Sequence, residues 1–329
     1  GSFNTASGFE SLYNNTTGKE NIAVGYRSLY KNTTGEDNTA VGYSSLEKNT
    51  IGIYNTASGA YSLRNNTTGN NNTSLGYISL YKNTTGNNNT AVGYASLNQN
   101  TTGSQNTASG YQCLLNNTTG NYNTASGWFS LAYNTTGNAN TAYGIQSLKQ
   151  NTTGLHNTAV GYSSLNANTT GNNNTASGYG SLYKNTTGIQ NTASGYYSLR
   201  ENTIGNNNTA FGFQAGNTIT TGSNNTVIGY DADVSAATDA NSIVIGKGAV
   251  GAGSNIAVIG NDDITKVQTG SGRILASIVT GTNITPDNSS SGLTPDFIGQ
   301  IYVDTTESGE KMWMAFGTTK GNWKQISNA

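Results

Sequence analysis

The sequence predicts an all-β fold, a solenoid of stacked 17-residue coils, on three observations. Asparagine recurs at Asn4, Asn21, Asn38, Asn55, Asn72, Asn89, Asn106, Asn123, Asn140, Asn157, Asn174, Asn191 and Asn208, always 17 residues apart. Strict periodicity of that length marks a stacked array. Within the unit N-T-A-(V/S)-G-Y-x-S-L-x-x-N-T-T-G-x-x, apolar residues do not recur at i, i+3 and i+4, so no helical face can form. The β-forming pieces are short and end on glycine or on Asn-Thr-Thr-Gly, where asparagine and threonine bond their own backbone and glycine supplies positive φ.

Places are counted 1 to 17 from the leading asparagine, with Asn21–Asp37 as the type coil. Ile22 to Tyr26 reads as a first strand, rich in β-formers and containing a glycine. Ser28-Leu29 and their neighbours read as a second extended piece. Each coil then has two short strands and two turns. Coils stack ~4.8 Å apart, so the sixteen coil starts give a rod on the order of 75 Å long.

Read vertically, the columns separate interior from surface. The ninth place is leucine in twelve successive units from Leu12 to Leu199, Leu29 and Leu46 among them. The third place is alanine in all thirteen units except at Ser74, and the fifth is always glycine, as at Gly25 and Gly42. A leucine column facing small residues makes a thin, tightly packed interior. In the first twelve units the eighth place is serine, replaced once by Cys113, which reads as a small buried substitute. The twelfth place is asparagine in twelve units from Asn15 to Asn202, including Asn32 and Asn49. Two readings apply to it. In-register stacks pass hydrogen bonds along asparagine ladders, and ten of these asparagines, all but Asn49 and Asn202, also head an N-x-T glycosylation sequon; the ladder explains all twelve at once.

The fourth and sixth places stay open. The sixth is mostly tyrosine, either a packing column or an aromatic stripe for sugar rings. The fourth varies among Ser7, Val24, Leu75, Tyr143 and Phe211, which suits a surface that meets partner chains. One coil encloses so little apolar volume that a lone roll struggles against chain entropy, which argues for an obligate oligomer.

Composition narrows the classes. Charged residues are 9% and the net charge is −1, so no basic surface for nucleic acid is expected. One cysteine gives no intrachain disulfide framework, and no apolar run is long enough to cross a bilayer as a helix. The chain starts inside the repeat pattern, as a piece of a longer protein would.

After Asn208 the period drifts. Asn225 lies 17 further on, Asn241 is 16 beyond it and Asn255 is 14 beyond that. The stretch N-S-I-V-I-G-K-G-A-V-G-A-G-S, residues 241–254, resembles the head repeat of trimeric autotransporter adhesins, the YadA-like head. That resemblance covers residues 4 to about 261. It implies a left-handed parallel β-roll, three chains side by side, and an extracellular setting. The coiled-coil stalk and membrane barrel of that family have no counterpart here. Instead Gly299–Thr306, Lys311–Gly317 and Asn322–Ile326 read as three short strands, with a hairpin turn at Glu307–Glu310. They resemble the C-terminal module of phage-type tail fibres. The expected organisation is a shaft over 1–261, a connector over 262–298 containing a strand at Arg273–Thr280, and a tip over 299–329.

No catalytic constellation assembles. The single histidine, His156, falls in a turn, and the carboxylates are scattered. Asp231, Asp233, Asp239, Asp262 and Asp263 gather near the change of period, as solvated turn residues or as ligands of a hard cation. No cofactor and no metal are expected. The tip concentrates aromatics. Tyr302, Trp313, Phe316 and Trp323 with Lys324 form either a small shared core or a saccharide site. The expected function is a homotrimeric fibre or adhesin presenting this tip to a cell-surface glycan or envelope receptor. A spacer without its own ligand is the rival. Ice binding is more remote, since adjacent turn threonines do not form a flat two-column face.

Overall fold

Every coil of the computed structural model contributes one strand of three residues at places 2 to 4. Sixteen such strands, from β1 (Thr5–Ser7) to β16 (Ala257–Ile259), lie in chain order in one parallel sheet, forming a β-solenoid. The structure describes residues 1–261 and 263, together with the strand backbone of 278–281, 301–304, 311–315 and 323–328. No helix occurs among the described residues. The chain divides into two units, Gly1–Asn261 and Asp262–Ala329.

The strand follows from alternation. Thr39 is half-buried, Ala40 is buried and Val41 is exposed, so the middle residue points inward and its neighbours outward. Only a small side chain fits inside, and β-branched residues suit the outward positions. Glycine ends the strand for a steric reason. At Gly42, φ is +132°, and a Cβ there would lie 2.6 Å from the carbonyl oxygen of Gly59 in the next coil.

The second extended piece expected around Ser28-Leu29 does not form. Leu29 has φ +50°, flanked by Arg27 at +54°, so the chain turns there. Left-handed backbone at a leucine costs about 1–2 kcal/mol. The stack overrides that cost. The Leu29 N–H donates to Ser45 O at 3.1 Å, its carbonyl accepts from the Asn32 N–H at 3.1 Å, and its side chain is fully buried.

The period also needs correction. The strand offset stays at 17 from Thr5↔Ile22 to Thr226↔Ile243 and drops to 14 only at Ile243↔Ala257. Ser242, not Asn241, holds the first place of its coil, its N–H donating to Asn225 Oδ1 at 2.9 Å. Asn241 and Asn255 sit in the turn before the strand, at φ +55° and +63°. Just upstream the interior is rearranged. Gly216 takes the leucine place and Ile219 the asparagine place, with Ile219 Cδ1 3.4 Å from where a Gly216 Cβ would stand. The apolar side chain moves from one column to the next, and the interior stays filled.

The C-terminal unit contains β17 (Ile278–Gly281), β18 (Ile301–Asp304), β19 (Lys311–Ala315) and β20 (Trp323–Asn328), in that order in one sheet. β17 and β18 run parallel, and the other pairs are antiparallel. The expected turn at 307–310 and the loop at 286–295 lie outside the described residues.

Candidate functional site

Three features of the solenoid bear on function: its interior ladders, its outward sheet face and its aromatic side. The ladders come first because they fix the other two. Asn49 Nδ2 donates to Asn32 Oδ1 in the preceding coil at 2.8 Å and to Gly52 O in its own coil at 2.9 Å. This twelfth-place pattern runs from Asn15 to Asn202. From Asn32 onward these asparagines are fully buried, so their sequons are closed to glycosylation in the folded chain.

A second ladder, not foreseen from the sequence, occupies the first place. Asn38 donates both its backbone N–H and its Nδ2 to Asn21 Oδ1, each at 3.1 Å, while Nδ2 also donates to Gly52 O at 2.8 Å. Both ladders therefore converge on one glycine carbonyl per coil. Identity at all thirteen first places was the available signal. Gly25, Gly42, Leu29 and Leu46 occupy the repeated positions described above, and the leucines are fully buried. Ser74, alone in the alanine column, has its buried hydroxyl paired with Ser62 and Ser79 at 2.8 and 2.6 Å.

Cys113 is fully buried in the serine column, and its thiol donates to the Gly127 carbonyl at 2.6 Å. Burial pushes its pKa from 9.0 up to about 11. Since the thiolate is the reactive form, the native chain at pH 8 is expected to resist a disulfide reagent such as DTNB. Labelling should begin only in denaturant; rapid stoichiometric labelling of the folded chain would contradict the burial.

The outward sheet face is formed by places 2 and 4. Across sixteen strands these places hold no charged residue. They do hold exposed Val24, Val41, Leu75, Val92, Val160, Phe211, Ile228, Ile243 and Ile259. Strand threonines thus share a face with the fourth place, two residues apart, unlike the turn threonines considered from sequence. The fourth place contains no threonine, and Tyr143 and Phe211 interrupt it. The turn threonines are engaged instead, Thr33 Oγ1 donating to Thr50 O at 3.0 Å.

Sixth-place rings stack on one another along the next side. Tyr26–Tyr43, Tyr94–Tyr111, Tyr162–Tyr179 and Phe213–Tyr230 have centroids 4.9–5.0 Å apart and planes within 12°. Stacking occupies the ring faces that a sugar would need, so the regular column is a packing device with exposed edges. Two grooves open where its surroundings change. One, of about 350 Å³, lies among Tyr43, Ser44, Tyr61, Arg64, Tyr77 and Tyr81. The other, of about 250 Å³, lies among Tyr162, Ser163, Tyr179, Gly180, Tyr197 and Arg200.

Of the acidic residues near the change of period, Asp233 and Asp239 serve local backbone, and Asp262 lies outside the described residues. Asp239 Oδ2 accepts from Ser235 Oγ at 2.6 Å and from Ala236 N at 2.9 Å, and these bonds hold its carboxyl below the usual range. Asp233 accepts from Thr218 N and Val234 N, both at 2.8 Å, while burial pushes its carboxyl up. Among the described residues, no three His, Cys, Asp or Glu side chains gather as metal ligands. His156 is exposed in its turn.

Of the tip residues, Tyr302 pairs with Trp313 across β18 and β19, and Lys324 and Trp323 pair with Met314 and Ala315 across β19 and β20. Phe316 lies outside the described residues. No protein-family model matches the chain, and no curated protein matches it.

Proposed function

We propose that this chain is a segment of an extracellular homotrimeric fibre. Its left-handed solenoid shafts associate through the outward sheet face and hold the C-terminal module for a cell-surface glycan or envelope receptor. The uncharged sheet face carries this reading. Lysine, arginine, aspartate and glutamate occupy other places around the coil, yet none falls on places 2 or 4 in any strand. A sixteen-stranded uncharged face with exposed valine, leucine and isoleucine is a surface that proteins bury against a partner. An identical chain supplies a matching face in matching register. The resemblance to trimeric adhesin heads favours three copies.

Light scattering after size exclusion is the direct test. The intact chain is expected at three times its 34.2 kDa mass. Val92→Glu with Val160→Glu, which places charge on the face without touching the interior, is expected to give a folded monomer. A parent that is itself monomeric, or a charged variant that remains trimeric, would remove the sheet face from the interface. Removal of residues 262–329 tests the tip separately. Retained binding to a target cell surface would move the receptor role to the shaft, and a fibre that binds no glycan or cell would favour the spacer reading.

A further inference from the structure

We infer that the solenoid carries two copies of a lateral saccharide-binding groove, each suited to the pyranose rings of a neutral, hydroxyl-rich glycan. This goes beyond the tip and does not depend on the trimer.

The two grooves share a construction. Tyr61-Ser62-Leu63-Arg64 and Tyr197-Ser198-Leu199-Arg200 are the same four residues at places 7 to 10, and these are the only coils with arginine at the tenth place. In each case the preceding coil has a small residue at the seventh place, Ser44 in one and Gly180 in the other, with Ser163 one coil further away. The missing side chain is the cavity. The seventh-place tyrosine closes one end. Tyr61 stands at 71° to Tyr43, and Tyr197 at 70° to Tyr179, whereas regular column neighbours are nearly parallel. Tyr197 lies on bare backbone, since a Cβ on Gly180 would come within 2.3 Å of its ring. The arginine then covers the tyrosine, with its guanidinium carbon 5.5 Å from the Tyr61 centroid and 4.6 Å from that of Tyr197.

Such walls have apolar bodies and polar tips, which matches a sugar ring with C–H faces and a hydroxyl rim. Charge selects the class. Arg64 Nε donates to Glu47 Oε2 at 2.5 Å and its Nη1 donates to Tyr81 Oη at 3.0 Å. Arg200 pairs with Glu201 at 3.1 Å. Arg64 is balanced by Glu47, and Arg200 shares Glu201 with Lys184, so each arginine is already held by a carboxylate and a neutral, hydroxyl-rich ligand can enter without supplying an acidic group. Donors remain. Arg200 Nε–H is buried with no acceptor in the protein, and a ligand hydroxyl oxygen can supply one. The paired sites stand eight coils apart, about 38 Å at one strand spacing per coil. A polysaccharide can reach both, gaining avidity from sites that are individually weak.

The test is calorimetric titration of the full chain with four neutral probes, maltotetraose, cellotetraose, a mannotetraose and a galactotetraose, and with oligogalacturonate as the acidic comparator. At least one neutral probe is expected to bind with two equivalents per chain. Ser44→Tyr and Ser163→Tyr each fill one groove and should each reduce the stoichiometry to one; together they should abolish binding. These variants copy what the solenoid already accommodates, since Tyr61 and Tyr197 occupy the same place at φ +58° and +54°, close to Ser44 at +51° and Ser163 at +50°. Arg64→Gln with Arg200→Gln should weaken binding about tenfold or more through lost charge-assisted bonds. Absence of saturable binding by all four neutral probes would overturn the inference, as would a stoichiometry indifferent to both filling variants. Tighter binding of oligogalacturonate than of any neutral probe would overturn the ligand class.

Discussion

A Gly93→Ala chain is expected to unfold in two steps instead of one. Gly93 has φ +119°, and an added Cβ would stand 2.5 Å from Gly110 O and 2.9 Å from Gly110 C in the next coil. Both contacts are backbone, so no side chain can swing aside. Relief requires separating two coils whose strands, β6 (Thr90–Val92) and β7 (Thr107–Ser109), are paired through Thr90↔Thr107. Strain of this kind is worth about 3–5 kcal/mol. In a stacked array each repeat touches only its neighbours, so the loss falls on one interface and divides the array there. Urea titration followed by circular dichroism should show two transitions of unequal size. A single transition at the parental midpoint would mean that the coils are not held at strand spacing at this place.

Asn89→Ala should be nearly as severe, for a different reason. Asn89 Oδ1 accepts the Asn106 backbone N–H at 3.0 Å and its Nδ2 at 3.2 Å, while Asn89 Nδ2 donates to Asn72 Oδ1 at 3.1 Å and Gly103 O at 2.9 Å. Alanine removes all four bonds and leaves the Asn106 amide buried without an acceptor. Each unsatisfied buried group costs about 1–3 kcal/mol, and the combined loss should be about 3–5 kcal/mol. Lys82→Ala, on the exposed turn, is the control and should change stability by less than about 0.5 kcal/mol. Equal denaturation midpoints for the two variants would show that the first-place ladder is dispensable.

These two positions mark what could be read from the sequence. Glycine at every fifth place, and asparagine at thirteen successive first places and twelve successive twelfth places, are visible as vertical identity, because a 17-residue stack favours the same residue at the same height in each coil. The first strand was legible for the same reason, although it was expected over places 2 to 6 and ends at place 4, before the glycine. The leucine turn was not. Ser28-Leu29 carries no glycine, and the left-handed backbone of Leu29 is held by a local turn bond from Asn32 together with a bond to Ser45 that exists only once coils are stacked. The step to Asn241 misled because an asparagine suits a left-handed turn as well as a ladder, and only pairing across the sheet shows that Ser242 holds the first place. The grooves depend on which small seventh-place residue precedes which tyrosine–arginine coil. That relation between neighbouring coils is invisible when columns are read one at a time.

The asparagine ladders have a direction. Asn38 donates to Asn21 and Asn49 donates to Asn32, so the acceptor always belongs to the earlier coil. During protein synthesis the N-terminal coil emerges first. Each later coil therefore meets acceptors that are already fixed, and its side-chain amides set the height of the new turn without waiting for residues still to be made. The ladders thus reach back to the last finished coil, while backbone bonds such as Leu29 N–H to Ser45 O are completed only when the following coil arrives.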